Sequence, residues 1–202
     1  MDLAWAKVPF PILASNCVFN DPIDLTHSRL FFLSLSGSST KVVAADSAAF
    51  ENGVFLSNGF KAKGSVILKN ATIRGDLDCT GGEFVGNDKT PALNADGANI
   101  DGAVFLRNDF KAKGAVIFRG AKIKGTLNCV AGDFVGNGQT PALNVNGAYI
   151  QNGILFRKSF ETGKGFRVEG GVDLTAAKIG IRMECDGGDF VGEGKTPALN
   201  YA

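Results

Sequence analysis

The residues able to do chemistry in this chain are few and regularly spaced. Four thiols, Cys17, Cys79, Cys129 and Cys185, stand without any Cys-x-x-Cys pair, so no zinc knuckle or vicinal redox pair is spelled out; they read as buried, reduced side chains. His27 is the one histidine and follows Asp24 and Leu25. A hydrolytic triad would need a distinguished nucleophile beside it, and none is marked, so His27 reads as a solvated surface residue. Glu83, Asp133 and Asp189 recur in register. Paired carboxylates are the machinery of glycoside cleavage, but recurrence inside a repeat favours a structural role at a turn. Lys61-Ala62-Lys63 returns as Lys111-Ala112-Lys113, with Lys164 and Arg167 in a third copy. Such lysines form either a stripe that binds phosphate, anionic lipid or an acidic partner, or a solvated face that discourages lateral aggregation. Phe55, Phe105 and Leu155 fall on the outward phase of the local alternation, with Asp78, Asn128 and Glu184 between them. An exposed apolar stripe of that kind is a partner surface, unless a loop or a chain terminus covers it. The lysines and this stripe are the candidate binding surface. GxGxxG between a strand and a helix is missing, so no nicotinamide or flavin site is expected; neither is any other cofactor or metal.

These residues are carried by repeats. GGEFVGNDKTPALN from Gly81 returns as AGDFVGNGQTPALN from Ala131 and GGDFVGEGKTPALN from Gly187. VFLSNGFKAKGSVIL from Val54 returns as VFLRNDFKAKGAVIF from Val104, and a degraded copy, ILFRKSFETGKGF, follows from Ile154. Within each long repeat lies period-2 alternation, the signature of a strand. One ladder reads Phe50, Ile73, Ile100, Ile123, Ile150, Ile179, each preceded two positions earlier by Ala. Four positions later come Val54, Leu77, Val104, Leu127, Ile154 and Met183, and six later Leu56, Cys79, Leu106, Cys129, Phe156 and Cys185. Phe60, Phe84, Phe110, Phe134, Phe160 and Phe190 make a second, independent ladder. Both step by roughly 25 residues per coil, so the 50-residue repeat is a double coil, one plain and one carrying the VGNxxTP insertion. The fold class expected is all-β, a right-handed parallel β-helix of about seven coils, with Ile, Leu, Val and Phe stacked inside and glycines such as Gly75, Gly102 and Gly125 permitting bends. In this register Cys79, Cys129 and Cys185 lie two coils apart, roughly 9.6 Å, too far for a disulfide or a shared metal.

The Ala-x-Ile steps, as in Ala71-Thr72-Ile73 and Ala98-Asn99-Ile100, resemble the A(D/N)Lxx pattern of pentapeptide-repeat proteins. The resemblance implies a four-sided right-handed β-helix, although these coils exceed that family's regular twenty residues. The phrases GAxIxGxVFLRxxFxAxG and GAxIxGxLxC are similar to uncharacterised bacterial GAxIxG-repeat proteins, some of them labelled oxidoreductase. The likeness covers roughly residues 17–202 and carries a fold, not an activity.

Composition agrees. Glycine is 27 of 202 residues, about 13%, nearly twice ordinary usage. At 45% apolar the chain is no disordered segment. The net charge of +1 supplies neither the basic field for nucleic acid nor the acidic face of a DNA mimic, the analogy that pentapeptide-repeat regulators of topoisomerases would bring. The N-terminus lacks a basic region ahead of its apolar stretch, and no run is long enough for a membrane span; a cytoplasmic protein is expected. Residues 1–16, with Pro9 and Pro11, read as a cap segment and 17–202 as a single β-helix domain. The chain stops inside a recurring coil at Thr196–Ala202, as either a fragment of a longer solenoid or an open end that pairs between subunits. The function expected is a non-enzymatic structural or binding module, with a protein partner or self-association through the last coil. The alternatives are a carbohydrate-active β-helix enzyme and, behind it, a DNA-mimic regulator.

Overall fold

Val43-Ala44-Ala45 buries its first and third residues and turns the second outward, and the same pattern returns every five or six residues along the turn: Ala48 and Phe50, Val54 and Leu56, Phe60 and Ala62. Two-residue strands therefore alternate with corners, four strands to a turn, and each strand pairs in parallel with its counterparts in the turns above and below. The result, in a computed structural model describing residues 1–87, 89–194 and 196–201, is an all-β parallel solenoid. Asp88 and Lys195, each in a VGNxxTP-type insertion, and the terminal Ala202 lie outside the described residues.

The first wall stacks eight strands, from Ile23–Asp24 and Val43–Ala44 to Val172–Asp173 and Leu199–Asn200. The second runs from Ala49–Phe50 to Lys178–Ile179 and the third from Val54–Phe55 to Arg182–Glu184. Both join through Arg29–Ser34 into one 14-stranded sheet. The fourth stacks seven strands from Ser39–Thr40 to Asp189–Val191. The first wall thus counts eight turns, against the seven that the sequence ladders gave, because the turn opening at Ile23 is shorter and matches their spacing poorly. Lys7–Leu13 pairs in parallel with Arg29–Ser34, Val8 level with Leu30 and Ile12 with Leu33. Lys7–Leu13 therefore lies alongside the Arg29–Ser34 strand, and Pro9 and Pro11 lack the N–H groups that a further strand would use.

The ladder from Phe50 to Ile179 is one column of paired residues. The phenylalanine ladder differs from expectation in two ways. Phe160 is 75% exposed, and Phe166 takes the interior place instead. The rings also occupy two registers. Strand pairing aligns Ala62, Phe84, Ala112, Phe134, Val168 and Phe190. Two residues earlier, just ahead of each strand, stand Phe60, Gly82, Phe110, Gly132, Phe166 and Gly188. A large-then-small pair in one turn meets a small-then-large pair in the next, and successive rings stack with centroids 5.2–5.5 Å apart. The glycine is obligatory, because a Cβ on Gly82 or Gly132 would come within 2.7 or 2.8 Å of the Phe84 or Phe134 ring. Gly75, Gly102 and Gly125 likewise serve close approach between turns: a Cβ on Gly125 would sit 2.6 Å from the backbone of Ala103.

One corner follows the first wall in the seven turns from Ile23 to Val172 and is held by a left-handed residue, His27, Ser47, Asn70, Gly97, Gly120, Gly147 or Ala176; Trp5, in the N-terminal segment, has the same conformation, and φ spans 53–67°. His27 is thus a corner residue, its ring stacked on Trp5 at 4.2 Å. Cys79, Leu106, Cys129, Phe156 and Cys185 occupy successive turns, shown by the backbone bonds from Cys79 N to Phe105 O and from Cys129 N to Leu155 O. All four cysteines are free, and no helix is long and apolar enough to cross a membrane among the described residues.

Candidate functional site

The lysines of the expected binding surface stand on the fourth wall, interleaved with acids. Pairing aligns Lys61, Glu83, Lys111, Asp133, Arg167 and Asp189 in one outward column. Lys61 approaches Glu83 at 3.6 Å, and Arg167 approaches Asp133 at 3.2 Å. The charge of Arg167 is reinforced by hydrogen bonds to Glu169 and Asp133, which raise its pKa. Lys113 stands in a second column with Val85, Val135, Glu169 and Val191, and Lys63 directly follows the strand Lys61–Ala62. Acids and bases therefore alternate along this column, with Glu83 the partner of Lys61 and Asp133 the partner of Arg167. Asp78 and Asn128, on the third wall, hold turns: each side chain accepts the N–H two residues on, at 2.9 and 3.1 Å. Asn87 and Asn137 do the same in the VGNxxTP insertions, accepting from Lys89 and Gln139. The same asparagine oxygens also accept from Thr90 N and Thr140 N, at 3.0 and 3.4 Å.

The apolar outward column on the third wall aligns Phe55, Asp78, Phe105, Asn128, Leu155 and Glu184. Its three apolar members are covered from the side. Phe32 lies 5.2 Å from the Phe55 ring. The Arg107 guanidinium sits 4.7 Å over the Phe105 ring. Leu155, 7% exposed, packs with Val130 and Ala131.

Above this column the solenoid breaks its own pattern. Ser57, Thr80, Arg107, Val130 and Arg157 are level with one another in successive turns at the corner between third and fourth walls. The repeat that reads Ser57 in its first copy reads Arg107 and Arg157 in the next two. Beyond Arg157 extra residues loop out before Phe166 resumes the core. The loop closes on itself, Ser159 N donating to Lys164 O at 2.8 Å and Gly163 N to Ser159 O at 2.9 Å, and an ion pair from Lys164 to Asp109 ties it to a turn two coils away. It leaves Phe160 outside, with the Arg157 guanidinium 4.6 Å over its ring. Arg157 also lies 3.2 Å from Glu184. Arg107, Asn108, Asn128, Val130, Arg157, Ser159, Phe160 and Glu161 line the open cleft so formed, of about 160 Å³. None of the cleft's key residues stood among the expected ones. The signals were the Ser-to-Arg change between copies and the identity of the residues after each Phe. Phe60-Lys61-Ala62, Phe110-Lys111-Ala112 and Phe166-Arg167-Val168 agree, while Phe160-Glu161-Thr162 does not.

A neighbouring depression is lined by Asp109, Lys111, Asp133, Lys164 and Arg167. Its two carboxylates are engaged by Lys164 and Arg167, so neither stands free to serve a glycosidic oxygen. Burial raises the Cys129 thiol pKa, and burial together with the charge of Asp78 raises that of Cys79 well above the ordinary thiol range; such thiols are poor nucleophiles. Among the described residues no group of three His, Cys, Asp or Glu side chains is placed to hold a metal ion.

No family model matches the chain, and no curated protein matches it. Among solved structures it is similar to HetL, a pentapeptide repeat protein involved in heterocyst differentiation regulation from the cyanobacterium Nostoc sp. strain PCC 7120. The identity is 13% and the TM-score 0.34, over 94% of this chain and 87% of that one.

Proposed function

We propose that the protein is a non-enzymatic binding module, a rigid β-solenoid that presents one built surface, the third-wall corner around Phe160, to a protein partner. The observation that carries this reading is the departure of the third copy from the repeat. Stacking alone accounts for every regular feature of the walls. It does not account for a self-closed loop, tied down by an ion pair across 55 residues, that leaves a phenylalanine exposed beside two arginines. Aromatic and arginine side chains at the rim of a cleft are the composition of a protein-binding hot spot. The alternating charges on the other walls favour the same surface, since those columns are occupied with one another. They also weigh against a DNA mimic, which needs an unbroken acidic face. Unpaired cysteines suit a reducing compartment, and we place the protein in the cytoplasm on that ground.

The test is site-specific photo-crosslinking in the producing cell, with a benzophenone amino acid in place of Phe160 or, as control, of Tyr149 on the second wall. The expected outcome is a discrete adduct from position 160 and none from 149. Equal labelling at both positions, or none at 160, overturns the reading.

A further inference from the structure

Six of the seven arginines have a carboxylate within 4 Å: Arg29 and Arg74 share Glu51, Arg119 takes Asp96, Arg157 takes Glu184, and Arg167 and Arg182 are similarly paired. Arg107 alone forms no ion pair among the described residues, since the residues level with it are Thr80 and Val130. Its position is nevertheless fixed. The guanidinium rests on the Phe105 ring, and Nε is buried without a hydrogen-bond partner. A charged group held in place, stripped of water at one nitrogen and lacking an internal anion, is preorganised for an external one, and it loses little side-chain entropy on binding.

Taking the binding reading above as its basis, we infer that the cleft between Arg107 and the Ser159–Gly165 loop holds the carboxylate of an acidic segment of the partner, an Asp or Glu beside an apolar residue. The carboxylate lies against the guanidinium fork of Arg107, a planar match, and the apolar neighbour packs on Phe160 and Val130. The anion carries one charge rather than two. Arg157 is already engaged by Glu184, and Glu161 on the rim opposes a second negative charge. A cleft of about 160 Å³ has room for about five waters, hence for a side-chain head group and not for a folded element.

The full chain is titrated with three blocked hexapeptides that differ only at the position before a phenylalanine: Glu, Gln and phosphoserine. The Arg107 side-chain N–H resonance and the Phe160 ring are followed by NMR. The Glu peptide is expected to move both, with binding that weakens at least tenfold in Arg107→Gln, weakens in Arg107→Lys, and tightens two- to fivefold in Glu161→Gln. Thermal unfolding of each variant confirms that it remains folded. Equal binding of the Gln peptide, tighter binding of the phosphopeptide, or an Arg107→Gln response like the parent's overturns the inference. If Arg107→Gln leaves the crosslink from position 160 intact, the binding surface stands and the carboxylate site is wrong; loss of that crosslink in Arg107→Gln alone upholds it.

Discussion

At the scale of single residues, two phenylalanines that look equivalent in sequence have opposite roles. Phe110 is fully buried, with ring centroids 5.2 Å from both Phe84 and Phe134. Phe110→Ala is expected to cost about 3–5 kcal/mol, and Phe110→Asp to prevent folding, because it buries an unpaired charge. Phe160→Ala should stay within about 0.5 kcal/mol of the parent. Urea denaturation of the pair checks both, and an equal loss at the two positions would refute the assignment of Phe166 to the core. The thiols divide in the same way. The thiolate is the reactive form, and a raised pKa leaves little of it at pH 8. Cys79 and Cys129 are raised by burial; Cys17 and Cys185 are both exposed, although partial desolvation raises Cys185. A disulfide reagent at pH 8 should therefore titrate Cys17 fast and Cys185 more slowly, with Cys79 and Cys129 reacting only on unfolding. Four equally fast thiols would mean that the core is not closed.

At the scale of the element, the wall pattern was readable wherever a turn repeats cleanly, since period-2 burial leaves an aliphatic ladder whose register survives in the strand pairing. It was unreadable where two residues of the right type compete for one place. Phe160 fits the ladder's spacing, and only the complementary volumes, Phe with Ala or Val against Gly with Phe, distinguish Phe166. Glycine carries that complement. Gly132→Ala is expected to cost about 1–3 kcal/mol through overpacking against Phe134 and the Leu106 carbonyl. Gly147→Asn is its counterpart at a left-handed corner with nothing within 4 Å, where asparagine is tolerated, and it should cost well under half as much. Differential scanning calorimetry ranks the two, and the reverse order would refute the ring-over-glycine packing. The binding surface was the least legible part. Phe55, Phe105 and Leu155 share one column of the third wall, but how far that stripe is buried depends on neighbours such as Phe32 and Arg107, which local alternation does not register.

At the scale of the molecule, the near-zero charge is a property of columns. Asp46, Lys69, Asp96 and Arg119 follow one another turn by turn beside the first wall. Glu51, Arg74, Asp101 and Lys124 do so on the second, with Arg74 2.7 Å from Glu51 and Lys124 2.8 Å from Asp101. Lys61, Glu83, Lys111 and Asp133 follow on the fourth. Each of these four turns, from Val43 to Asp133, thus presents acid, acid, base or the inverse, and the sign flips from one turn to the next. Exposed pairs add little stability one at a time, but a slip of the stack by one turn would set like charges against each other on three walls at once. The aliphatic rungs, of similar size, cannot forbid that slip; the charges oppose it, together with the alternation of ring and glycine inside the fourth wall. Glu83→Lys places three lysines in succession and should cost about 0.5–1 kcal/mol at low salt. Most of that loss should vanish at 1 M salt, where the screening length falls to about 3 Å. Inverting Lys69, Arg74 and Glu83 together should cost more than three times the single change and recover by the same proportion in salt. A cost independent of ionic strength would show that Glu83 acts through packing and that the columns do not set the register.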